Sequence, residues 1–164
     1  MTKYIVLFFA VLLFVSCSSN NSFVNYIFDS TKDYQSLIQN TKKADIIENN
    51  NTIKAFMIST YLNQTSVKWD DNIFHFAIGF YKVDEENNKS KYKLTINDYE
   101  DINLTKLHKN SSLYESLPIK NSWADYFIVE VAKDDINITI NDKLHLKWIK
   151  IDENITANIL YEQF

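Results

Sequence analysis

The chain has 164 residues, 21 of them acidic and 17 basic, for a formal net charge of −4. That is one domain's length, enough to bury a core without disulfides. Every basic residue is lysine and Gly79 is the only glycine. Missing guanidinium forks argue against nucleic-acid readout and bidentate phosphate recognition, and missing glycines exclude phosphate-cradling loops, dinucleotide turns and nucleophile elbows.

The first element is an apolar run. Lys3 precedes Tyr4 to Val15, an unbroken hydrophobic stretch that leads through Ser16 to Cys17, the only cysteine. A positive start, a short apolar core and a small residue before the cut make a secretory signal, and the run falls short of the roughly 20 residues of a membrane span. Ser16-Cys17-Ser18 also fits an ordinary secretory cut after Ser18. The arrangement resembles the lipobox of bacterial lipoprotein precursors, with Phe14 where that family usually carries an aliphatic residue. The resemblance implies cleavage before Cys17, a diacylglycerol on its sulfur and acylation of the new amino terminus. It implies a membrane lipid anchor and a place in the cell envelope. Ser18, where an aspartate would retain the protein in an inner membrane, is compatible with an outer membrane if the cell has one.

Residues 1–16 are thus expected to be a signal peptide, 17–30 a lipidated cysteine and polar tether, and 31–164 a single domain. Within it, Tyr34, Leu37, Ile38, Thr41, Ala44 and Asp45 follow a three-four rhythm that predicts an amphipathic helix over 31–48, with Ser30 or Thr31 as its cap. After Asn51 the period changes to two. Ile53, Ala55, Met57, Ser59 and Tyr61 alternate with Lys54, Phe56, Ile58 and Thr60, which predicts a strand. Ile73–Val83 is apolar on both faces, as a central covered strand should be. Asp84–Ser90 reads as a solvated loop and Tyr92–Ile96 as a half-buried strand. Residues 101–122 read as a crossover with one short strand near Leu104. Strands are then expected at Trp123–Ala132, Ile136–Ile140, Leu144–Trp148 and Ile155–Tyr161. With Pro118 as the only proline, turns fall to Asn49-Asn50-Asn51, Asn87-Asn88, Asn97-Asp98 and Asn141-Asp142. The expected fold is mainly β: an Ig-like antiparallel sandwich of about seven strands over 52–164, preceded by one helix, with a closed barrel as the alternative.

The segments KYKLTIND, LPIKNSW and DYFIVEV, between Tyr92 and Val131, resemble uncharacterised lipoproteins of low-GC proteobacteria. Abundant Asn, Lys and Ile suit such a genome and also account for the missing arginine. That resemblance implies a secreted, tethered domain and carries no activity.

Chemistry-bearing residues are scattered. His75, His108 and His145 stand alone without metal-ligand spacing, and His75 reads as a core residue of the central strand. No serine lies in a nucleophile motif. Asp98, Glu100 and Asp101 with Asn103, or Asp134 and Asp135 with Asn137, could offer oxygens to calcium at one end of the sandwich, against plain turn chemistry. Trp148 alternates with Leu144 and Leu146 and should be internal. Trp69 and Trp123 sit at strand starts beside Asp70 and Asp125 and are the candidates for ligand contact. The expected function is therefore non-catalytic: a binding or adaptor module with an envelope protein as partner, no nucleic acid and no cofactor. A small-ligand or glycan binder using the surface aromatics and acidic loops is the alternative. A third is an enzyme in which a cleft holds His75 or His108 beside a carboxylate.

Overall fold

The structure is a computed structural model that describes residues 32–47, 51–65, 68–83, 91–136 and 143–162. The signal, Cys17 and the tether lie outside these residues, as do the Asp84–Ser90 loop, Asn137 and the alternation at Ile138 and Ile140. Residues 33–164 form one compact unit.

Among the described residues, eight strands make two antiparallel sheets: β1 (Thr41–Ile47), β2 (Ile53–Tyr61), β3 (Ile73–Lys82), β4 (Tyr92–Ile96), β5 (Asn103–Lys106), β6 (Asp125–Ala132), β7 (Leu144–Lys150) and β8 (Ile155–Tyr161). One sheet runs β1-β2-β3-β6-β5 and the other β4-β7-β8. With β1 set aside, the orders 2-3-6-5 and 4-7-8 are those of the seven-stranded, constant-type Ig sandwich. The chain is that sandwich with an extra strand beside its first.

The extra strand corrects the expected helix. A helix, α1, spans only residues 32–39. Asn40 and Thr41 then donate side-chain hydrogen bonds back to the carbonyls of Ser36 and Leu37 at 3.0 and 2.7 Å, satisfying the orphaned acceptors of the last turn. From Thr41 the chain pairs with β2, Ala44 opposite Met57 and Ile46 opposite Ala55. Ala44 and Ile46 enter the core, while Lys43 and Asp45 alternate to the other face and pair at 2.8 Å. Thr41, Ala44 and Asp45 fit a helical rhythm, but Lys42, Ala44 and Ile46 fit period two equally well, and the exposed backbone of β2 decided between them.

Between the sheets lies a dry core of Met57, Tyr61, Phe74, Phe76 and Ile78 against Leu144, Leu146, Trp148, Ile159 and Tyr161. Phe80 and Tyr92 pack on Trp148 with ring centroids 4.8 and 4.7 Å away, and Trp148 is internal as its spacing predicts. Tyr161 donates to the Ser59 carbonyl at 2.8 Å and lies 3.0 Å from its hydroxyl, both buried. One side of the sandwich closes where β1 meets β8: Lys42 donates to the Leu160 carbonyl at 2.5 Å and sits 5.1 Å over the Tyr161 ring.

Asn and Asp take the left-handed positions among the described residues: those with positive φ are Asn51, Asn97, Asp98 and Asn154. The expected turns at Asn49-Asn50, Asn87-Asn88 and Asn141-Asp142 lie outside the described residues. Gly79 has no such role: it is a mid-strand residue of β3, paired with Tyr126 of β6.

Candidate functional site

The outer face of the larger sheet carries the site. Successive side chains of a strand point to opposite faces, so Phe74, Phe76 and Ile78 fill the inter-sheet core while His75, Ala77 and Gly79 face outward. Over Ala77 and Gly79 lies a second cluster of Leu37 from α1 with Leu62, Leu107, Tyr114, Leu117, Ala124 and Tyr126. Most of its cover is the segment 107–124, which contains one short helix, α2 (Ser112–Ser116), capped by Ser111, whose hydroxyl accepts from the Tyr114 amide.

Gly79 makes this layer possible. A Cβ built there would lie 2.6 Å from the Tyr126 ring, so the missing side chain is the space in which the ring lies flat across the strand pair. Tyr114 packs edge-on to the same ring at 5.0 Å and 81°. The buried Tyr126 hydroxyl accepts the Asn121 amide at 3.0 Å and donates to the Ile119 carbonyl at 3.4 Å. Burial pushes the phenol above its ordinary range, partly offset by the Asn121 amide. Tyr126 thus pins the turn 119–123 from below.

The turn is also braced from within and from the side. The Asn121 side-chain oxygen accepts the Trp123 amide at 2.7 Å, its carbonyl accepts from Ala124 at 3.2 Å, and Lys109 donates to the Ser122 carbonyl at 2.6 Å. On this fixed turn the Trp123 side chain stands 80% exposed, with Ile119 43% exposed on the same segment. Large aromatics are seldom left so bare in a monomer, and a rigid exposed one is the usual core of a contact surface.

Trp69 does not join it, which corrects the expected pair of surface tryptophans. Its ring lies against His75, centroids 4.8 Å apart, and, partly buried, it packs against the second cluster. The indole nitrogen is buried and has no hydrogen-bond partner. Apolar cover from the outer layer outweighed Trp69's place at a strand start.

Two of the acidic residues offered for calcium take lysine partners. Asp98 bonds Lys147 at 2.5 Å and Glu100 pairs with Lys93, so each carboxylate answers a lysine instead of converging with Asp101 on one point. The Lys147 hydrogen bond, then its charge, holds the Asp98 carboxyl below its usual range. Asn97 accepts the His145 amide at 2.7 Å and donates to the Lys143 carbonyl at 3.1 Å, which is turn chemistry. Asp134 and Asp135 lie in a 3-10 turn. Among the described residues no three His, Cys, Asp or Glu side chains are grouped to hold a metal.

Of the histidines, His75 does stand beside a carboxylate, its Nε2 3.4 Å from Glu130. It is 4% exposed beneath Trp69, as a core histidine, and its Nδ1 has no partner. His108 is exposed, and the His145 ring meets Asn158 at 3.1 Å.

A different contact surface escaped sequence reading. All four residues of β5 are exposed, and among the described residues no strand pairs with its outer side. A four-residue segment in an irregular stretch gives no sign of lying at a sheet edge. Comparison with protein-family models, with curated proteins and with solved structures gave no match for this chain.

Proposed function

We propose that the chain is a lipid-anchored cell-envelope protein that acts by binding, as an adaptor, with the open edge at β5 as its docking strand for an envelope protein. The anchor rests on Lys3, the apolar run and Cys17. The observation that carries the docking site is the contrast between the two sides of the sandwich. Lys42 and Tyr161 hold β1 against β8 on one side, whereas Asn103, Leu104, Thr105 and Lys106 lie bare on the other. An exposed strand edge offers main-chain donors and acceptors to an incoming strand, with alternate side chains supplying specificity. Among the described residues the histidine that stands beside a carboxylate, His75, is 4% exposed and packed against Trp69, a core position that favours binding over catalysis.

A second reading, a small polar ligand or glycan, is supported by an open cleft of about 320 Å³ lined by Gln39, Asn40, Lys42, Gln64, Tyr161 and Glu162. Side-chain amides and a carboxylate are hydroxyl-binding groups, but the tryptophans expected to stack a sugar are not among the lining residues.

Photo-crosslinking from position 105, exposed on the same strand, in intact cells tests the adaptor. Capture of one discrete protein by the anchored chain, lost in Cys17→Ser, is expected. A Leu104→Lys change should abolish capture without altering stability, because the side chain is 46% exposed. The same abundant bystanders in every sample would overturn it.

A further inference from the structure

We infer that the Trp123 turn is the face of the domain that meets the lipid bilayer, with the indole seated in the headgroup layer. The inference rests on the reading of Cys17 as the lipidated residue and names the surface on which that anchor lays the domain.

The first argument is chemical. An indole has an apolar body and one N–H donor, which suits the membrane–water interface better than either phase alone. Trp123 is 80% exposed and Ile119 43%. Lys106, Lys109 and Lys120 lie on the same segment and its flank. Their ammonium groups are held against Asp125 at 3.6 Å, the Ser122 carbonyl at 2.6 Å and the Glu115 carbonyl at 2.6 Å. Lysines around an interfacial tryptophan keep their heads in water while their stems line the apolar surface.

The second argument is one of area. One indole and one isoleucine fall far short of the roughly 800 Å² that each partner buries in a stable protein interface. A tethered domain needs no such area, because its encounter with its own membrane is intramolecular and weak contacts suffice. A bilayer therefore fits this small patch better than a second protein does.

The third argument is the path of the chain. Residues 18–31 reach at most about 50 Å, and the chain enters the domain at α1. Leu37 of α1 packs in one cluster with Leu107, Tyr114, Leu117 and Ala124, so the tether arrives in the layer that carries Trp123. Seating that layer on lipid leaves β5, which meets the turn only at its Lys106 end, open to a partner in the aqueous phase.

The test uses the mature protein purified from membranes and reconstituted in phosphatidylcholine vesicles with brominated acyl chains. Trp148 is 3% exposed and Trp69 is partly buried against the second cluster, so the bromine quenching of tryptophan emission that Trp123→Phe removes reads Trp123. Quenching in the wild type, lost in Trp123→Phe, is expected. An acylated protein whose quenching is the same in both would overturn the seating and leave the anchor standing. An intact mass without acyl chains on Cys17 would overturn both. Capture of a protein in place of lipid by a crosslinker at position 123 would transfer the turn to a protein partner and overturn the seating alone.

Discussion

The two faces of the larger sheet are built from the same strands and are held in different ways. The inner face meets a second sheet, and its contacts are regular: Phe74, Phe76 and Ile78 interleave with Leu144, Leu146 and Tyr161. The outer face has no sheet to meet. It is covered by Leu37 of α1 and by segment 107–124, and that cover is organised by a single aromatic ring over a single glycine. The inner face supplies stability by dispersion and burial spread over many residues. The outer face presents Trp123 through a short chain of specific contacts, so a single substitution can loosen it while the sandwich stands.

Removing a core ring should give the largest effect and mark the inner face as the source of stability. Phe76 is fully buried and touches Tyr61 and Tyr161 at centroid distances of 5.2 and 5.7 Å. Phe76→Ala should cost about 3–5 kcal/mol, read as a lower denaturant midpoint. A loss near zero would mean the sheets are not packed as described.

Alkaline titration divides the faces next. Burial, then the charge of Asp71, pushes the Tyr61 phenol up to about 12, and burial raises Tyr161 further, against a hydrogen bond to Ser59. A folded pKa above the unfolded 10 favours the neutral phenol. The stability it confers is therefore complete below pH 10 and is lost as pH climbs toward 12, by on the order of 2 kcal/mol for Tyr61. On the outer face the Asn121 amide moderates the rise at Tyr126. Tyr126→Phe and Tyr161→Phe should each remove a phenol that ionises above the ordinary tyrosine range, read as a loss of phenolate absorbance at the alkaline end of the titration. A loss confined to the ordinary range would contradict the burial assigned to the two rings.

How much of this was legible depended on which face a residue served. Period two over Ile53–Tyr61 and the doubly apolar run at Ile73–Val83 announce strands directly, because regular packing against a sheet imposes a regular pattern. Their seven-strand count matches the Ig-type order, and β1 was missed because seven residues from Thr41 satisfy two periods at once. The outer layer left no period to read. Gly79 in a strand signals a close approach, but nothing local says that the approaching ring belongs to Tyr126, 47 positions on. Trp69 and Trp123 look alike as sequence, each a tryptophan within two residues of an aspartate. Only the fold covers one and bares the other.

Gly79→Ala tests the link between the faces. The new methyl must displace the Tyr126 ring, since three ring carbons stand at 2.6 to 3.0 Å from its position. Overpacking of this kind costs about 1–3 kcal/mol. The Asn121 amide should lose its acceptor, so exchange protection at Asn121, Trp123 and Ala124 should fall further than protection in β2 or β7. Uniform loss across both sheets would mean that the glycine serves the inner core after all.

Trp123→Ala should have the smallest effect on stability and for that reason is the most informative. A side chain 80% exposed has almost no contact to lose, so the change should lie within about 0.5 kcal/mol of wild type. The backbone brace from Asn121, Lys109 and Tyr126 does not use the indole and should persist, as exchange protection at residues 121–124 would report. A measurable destabilisation would mean that the indole packs on its own domain in solution. Unchanged stability would leave an apolar side chain of this size held in solvent at no benefit to the fold, and a contact beyond the domain is the physical reason left for keeping it there.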